Sequence, residues 1–222
     1  MNCILSTTYF GPIQWYQKLN RFDCFIDDQE HFVKQTYRNR CLIATTQGIQ
    51  ALTVPIEKNE ASRMKDEESA RAMDSSSFTL HSPFIKDVRI SDHGNWRHLH
   101  WNALKSAYGE SAFFEYYADD IYPFFEKKWD FLWDFNWEIM EKMCELLQNV
   151  PPIPLKGGID TLPSGVEGAD FRQAIQPKHP SEDPGFTPKP YYQVYRHKHG
   201  FIPNLSILDL LFNMGNEASL YL

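Results

Sequence analysis

The sequence predicts an α/β fold: a single domain over residues 1–222, with a mixed or mostly parallel sheet that opens on a βαβ unit and is packed by central aromatic-rich helices. Three observations carry this expectation. Two short β-forming runs near the start are joined by a helix-period stretch, and the connection of about 12–15 residues is long enough for a parallel crossover. Extended helical periodicity follows between residues 96 and 148. The chain also carries 16 Phe, 11 Tyr and 6 Trp among 222 residues although its mean hydropathy is −0.48, and so many large anchors in a polar sequence argue for a packed core and against disorder.

Residues 2–8 read as a buried first strand, broken by Gly11 and Pro12. Ile13, Tyr16, Leu19 and Phe22 recur at every third position, which predicts a helix with Pro12 in its first turn. Cys24 to Asp27 forms the second strand. Leu42–Thr46 and Ala51–Val54 flank Gln47, Gly48 and Ile49, a hairpin with glycine at the tight position. Residues 57–77 turn polar, with four basic and six acidic side chains, and read as a surface excursion. Phe84 to Ile90 alternates and is expected as a further strand.

Trp96 to Tyr108 is a helix, with Asn95 or Asp92 to cap it. Ser111 opens a second one running toward Phe125, with Pro123 as a break. From Trp129 to Gln148 the apolar positions follow the 3.6 period, interrupted only by Asn136, and Pro151 and Pro152 end the run. Nine of the 14 prolines fall in 151–190, so this stretch is expected to lack regular structure and to act as a wrapping arm or lid. Tyr191 to Arg196 reads as a strand. Asn204 is the expected cap of a last helix, Leu205 to Asn213, stopped by Gly215.

Charge and composition exclude several functions. A net charge of −7 and an isoelectric point near 5.6 oppose broad nucleic-acid binding, which needs a basic face. No apolar run approaches the ~18–20 residues of a membrane span. Cys3 to Leu5 is too short for the apolar core of a signal peptide. The four cysteines lack CxxC spacing, so neither a zinc ribbon nor a disulfide framework is expected, and the chain is expected in a reducing cytoplasm.

The densest polar cluster follows the second strand: Asp27, Asp28, His31, Lys34, Gln35, Arg38, Asn39 and Arg40. In open α/β sheets ligands sit at the carboxyl ends of strands, which places a candidate site here. Adjacent carboxylates on a strand point to opposite sides, so Asp27 and Asp28 are expected to do different jobs. Asp27, Asp28 or His31 is the candidate base, while Lys34, Arg38 and Arg40 offer donors to a phosphate or carboxylate. The bland alternative is a solvated turn of surface ion pairs. A second constellation is the opening turn, Thr7 to Trp15, where a strand breaks at Gly-Pro and feeds a helix start whose free N–H groups suit an anion; a packing turn without ligand explains it equally. It has neither the Walker lysine pattern nor the Rossmann glycines.

Of two His-x-His pairs, His98 and His100 lie on different faces of a helix. His197 and His199 share a face if the strand from Tyr191 continues through them. Neither pair has the further ligands of a zinc site, and no metal is expected.

Several blocks resemble the WbqC-like protein family. They are Ser6 to Tyr16; Phe25-Ile26-Asp27-Asp28 with Phe32, Lys34, Gln35, Arg38, Asn39 and Arg40; Leu52 to Ile56; Asp87 to Ile90 leading to Trp96; and Pro203 to Asn213. The chain departs from the family's Gln-Pro-x-Tyr opening, with Thr7 and Thr8 before Tyr9. The resemblance implies a setting in surface-polysaccharide assembly and transfer of an amino acid, such as glycine, or an acyl group to an activated sugar. Tyr9, Gln14, Asn204 and Ser206, which lie in these blocks, join the candidate substrate-binding set together with His199, and no cofactor is named. The alternatives are a nucleotidyltransferase-like enzyme, by analogy of layout alone, and a non-catalytic assembly protein that binds a partner through its aromatic helices.

Overall fold

The computed structural model describes residues 1–57, 82–159 and 168–222. The predicted polar excursion at 57–77 lies, from residue 58 onward, outside them. The expected βαβ unit is present as β1 (Asn2–Leu5), α1 (Ile13–Leu19) and β2 (Asp23–Asp27), with β1 and β2 parallel and Cys3 opposite Cys24. β3 (Arg40–Thr45) and β4 (Gly48–Thr53) form the predicted antiparallel hairpin, a separate two-stranded sheet.

Two further strands come from the arm that was expected to be irregular. β5 (Ile153–Leu155) pairs with β2 and β6 (Gly168–Asp170) pairs with β1, both parallel, so the main sheet has the order β5-β2-β1-β6. Each is three residues long and lies at an edge, where Pro154 and Gly168 are tolerated because one side of the strand needs no ladder partner. Neither carries an apolar pattern that would announce it.

The helices cover the sheet and hairpin: α2 (Trp96–Tyr108), α3 (Phe114–Ile121), α4 (Pro123–Glu126), α5 (Leu132–Leu147), the short α6 (Arg196–His199), α7 (Ile207–Met214) and a closing 3-10 segment, Gly215–Tyr221. Pro123 ends one helix and occupies the first turn of the next, where its missing N–H costs nothing. Among the described residues, no helix is long and apolar enough to cross a membrane.

Two expected strands are not formed. Ile85–Asp87 is a 3-10 turn that interrupts the segment, and Phe84, Arg89 and Ile90 make only isolated bridges, although Ile85, Val88 and Ile90 are buried. Tyr191 to Tyr195 has no strand partner and leads into α6, so His197 and His199 sit on a helical turn and not on a strand face.

The aromatic residues make the core. Tyr9, Phe10, Trp15 and Tyr16 are at most 1% exposed, and Phe10 stacks on Phe125 while meeting Phe124 edge-on. Helix α7 is buried from Ile207 to Asn213 and is stitched to the opening turn. The Ile13 N–H donates to the Leu205 carbonyl, the Ile207 N–H to Gly11, and Ser206 Oγ to Phe10. These bonds occupy the helix start that the sequence offered to an anion.

Asn204 caps a helix, but not the expected one. Its Oδ1 accepts from the Gln14 N–H at 2.9 Å, supplying α1 with the cap that Pro12 has no side chain to make, while α7 is capped by Ser206. Asn204→Ala should therefore lower stability by about 1 kcal/mol, read as an earlier urea midpoint at unchanged slope. An unchanged midpoint would remove this role.

Candidate active site at the carboxyl edge of the sheet

Because all four strands of the main sheet are parallel, their carboxyl ends share one edge, where ligands of open α/β sheets bind. β1 delivers Ser6 there, β2 delivers Asp27 and Asp28, β5 leads to Gly157 and Gly158, and β6 ends in Asp170, followed by Phe171 and Arg172. The chain leaves β1 toward β2 on one side, whereas β6 pairs on the other, so the edge has a reversal of direction at β1.

Asp27 is 5% exposed. Its Oδ1 accepts from the Gln29 N–H at 2.8 Å, and its Oδ2 faces Arg172 Nη1 at 3.4 Å. Arg172 is held mainly by Asp170, through Nη2 at 2.7 Å and Nε at 3.0 and 3.1 Å. The hydrogen bond to Asp170 raises the guanidinium's pKa against the opposing effect of burial. Burial pushes the Asp170 carboxyl up, and Arg172 outweighs it, leaving the pKa below the usual range. Arg172 thus presents a fixed positive charge beside Asp27. Asp28 turns to a different partner, its Oδ1 accepting from the Gly157 N–H at 3.1 Å.

Beside this pair lies a second, closed one. Arg38 donates to Glu30 through Nη2 at 2.7 Å and Nε at 3.1 Å, and to Ser6 Oγ at 2.8 Å, while Ser6 donates to Glu30 at 2.9 Å. Arg38 and Glu30 are both buried, so Nε and Nη2 of this guanidinium are committed within the fold. Asn39, also buried, donates to the Val54 carbonyl, and Arg40 is half-buried with Nε on Thr53 Oγ1.

The remaining expected residues fall elsewhere. His31, Lys34 and Gln35 are exposed on the turn after β2: His31 Nδ1 donates to the Ser82 carbonyl and its ring stacks on Phe84, and Gln35 accepts from Lys178. Gln14, Asn204 and Ser206 belong to the seam between α1 and α7. His199 Nε2 donates to the Thr45 carbonyl at the hairpin. Among the described residues, no three His, Cys, Asp or Glu side chains converge to hold a metal ion. Glu30, Asp170 and Arg172 escaped the sequence reading; a charged pair around one phenylalanine after a proline-rich stretch carries no local signal.

Tyr9 lies deep in the core with its hydroxyl 2.9 Å from His100 Nδ1. Burial lowers the His100 pKa to about 4, with a hydrogen bond to the Thr53 backbone working against it. The native imidazole is therefore neutral at pH 7. Below its ordinary value of 6.5 the unfolded chain takes up a proton that the native state refuses, so stability is lost as pH falls toward 4. The loss should reach about 3 kcal/mol, and the stability difference between wild type and His100→Gln should narrow by that amount between pH 7 and 4. Parallel profiles would show that His100 is not the group responsible.

The sequence profile of the WbqC-like protein family matches residues 7–80 and 77–159. The chain belongs to that family. The matched region of this WbqC-like protein takes in Asp27, Asp28, Glu30 and Arg38 and stops before β6 and Arg172. The protein is also similar to the uncharacterized protein Rv1507c of Mycobacterium tuberculosis (strain ATCC 25618 / H37Rv), at 27% identity over 245 residues, covering 99% of this chain and 96% of the relative. No solved structure matches.

Proposed function

We propose that this WbqC-like protein is a transferase acting on an activated sugar or acyl donor, working in the cytoplasm in surface-polysaccharide assembly. The observation that carries the reading is Asp27, a buried carboxylate at a strand's carboxyl end, with one oxygen fixed by a backbone N–H and the other turned toward a charged arginine at a loose 3.4 Å. That oxygen suits a general base. In the reaction the acceptor's amine or hydroxyl forms a bond to the donor's electrophilic carbon, the leaving group departs with its electron pair, and Asp27 takes the acceptor's proton. Arg172 lies where its charge would meet an anionic leaving group or carboxylate. Arg40 and Lys34, outside this cluster, are the candidates to guide the donor in. The setting in glycan assembly rests on the family resemblance.

Incubation with a panel of nucleotide sugars and acyl donors should reveal one that is turned over and that raises the melting temperature. Asp27→Asn should then reduce kcat/KM about a hundredfold while leaving the melting temperature nearly unchanged. Neither turnover nor stabilisation with any donor, or full activity in Asp27→Asn, would defeat the reading.

A further inference from the structure

Helix α1 is seven residues long and all seven are buried, so its polar side chains have no solvent face to occupy. Spacing of three and four residues places Gln14, Gln17 and Lys18 on one stripe. Gln17 and Lys18 are each 1% exposed, and Gln17 Oε1 has no hydrogen-bond partner. A buried ammonium must be paired, yet a buried ion pair adds little net stability, and a methionine would fill this space without the desolvation cost. Packing alone therefore gives no reason for Lys18.

The partner comes from the proline-rich arm. Asp183 Oδ2 lies 2.6 Å from Lys18 Nζ and accepts from Gln14 Nε2 at 2.8 Å, so one carboxylate oxygen receives both donors. The Phe171 ring covers the ammonium with its centroid 4.1 Å away. The donors sit on a helix inside the core, whereas the residues flanking Asp183, namely Ser181, Glu182, Pro184 and Gly185, are exposed. A single carboxylate reaches in from a surface segment to fill a polar socket in the helix.

We propose that Lys18 and Gln14 form a binding site for the oxyanion of a small ligand, a carboxylate or a phosphate, and that Asp183 occupies it when the ligand is absent. The arm is then a strap that the ligand displaces. Binding alone is at issue, so this inference stands or falls independently of the transferase reading. Its link to the sheet edge is Phe171, which covers Lys18 and immediately precedes Arg172.

The test uses the full chain with sodium acetate and inorganic phosphate as probes, against sodium chloride at equal ionic strength. In wild type, acetate or phosphate should speed tryptic cleavage after Lys178 severalfold over chloride, as the strap is released. Asp183→Asn, which removes the competing charge, should bind the effective anion at least tenfold more tightly by thermal shift, and Lys18→Met should lose the response. The anion with the lower half-saturation identifies the ligand's oxyanion. Equal behaviour in all three salts, or a Lys18→Met protein that responds like wild type, overturns the proposal. If Asp183→Asn does not fold, cleavage of wild type against Lys18→Met still decides it.

Discussion

Glu30→Ala should destabilise the protein by roughly 3–5 kcal/mol, because it leaves the Arg38 guanidinium charged, buried and without its counter-ion. Among the described residues, Arg38 meets Glu30 through two nitrogens and the neutral Ser6 hydroxyl, which itself donates to Glu30. The Arg38 backbone is tied to the buried face of α5, where its carbonyl accepts from Asn136 Nδ2 at 2.7 Å. Removing both charges together, in Glu30→Leu with Arg38→Met, should recover most of the loss, because the cost of desolvating the pair disappears with the pair. Arg40→Ala is the contrast, with a half-buried side chain and one hydrogen bond to Thr53, and should cost less than about 1 kcal/mol. Urea unfolding of wild type and the three variants measures these differences. A Glu30→Ala variant within 1 kcal/mol of wild type would mean that the arginine finds solvent, and the closed pair would lose its structural role.

The same pair shows where sequence patterns stop being informative. The βαβ opening was legible because β1 and β2 are apolar runs and α1 has a clean period, all local signals. Charged residues in a turn, such as Glu30 and Arg38, look solvated from sequence, and only the return of the chain past Ser6 buries them. Asn204 stands directly before an apolar helix and reads as its cap, yet it serves a helix start 190 residues earlier, because Ser206 already caps the nearer one. Residues 168–172 were unreadable for a related reason: an edge strand of three residues needs no hydrophobic alternation, so nothing local marks Asp170 or Arg172 as lying beside Asp27. Tyr9, Phe10, Trp15 and Tyr16 flank the strand end in sequence but point into the core, where their area is worth more than on a ligand surface.

The second large effect is expected at Asp209, on α7. Its carboxylate is buried and accepts from Tyr108 at 2.8 Å, Tyr191 at 2.5 Å and Gln193 Nε2 at 3.0 Å, with no cation among these donors. Asp209→Ala strands two phenols in the core; Gln193 keeps the Ile202 carbonyl, so the loss should be about 3 kcal/mol. Its pH dependence separates this group from an ordinary ion pair. Burial pushes the Asp209 pKa above its ordinary value of 3.8, and the hydrogen bonds from Tyr191, Tyr108 and Gln193 only partly oppose that. A carboxyl with a raised native pKa gives stability that is complete below the unfolded value and is lost as pH climbs through the native one. The stability gap between wild type and Asp209→Asn should therefore be widest in acid and shrink as pH rises from about 4. The His100 contribution, which runs the other way, is common to both proteins and cancels in the difference. A gap that widens with pH would instead mean that the native fold favours the ionised carboxylate, and burial would not be the dominant influence on this side chain.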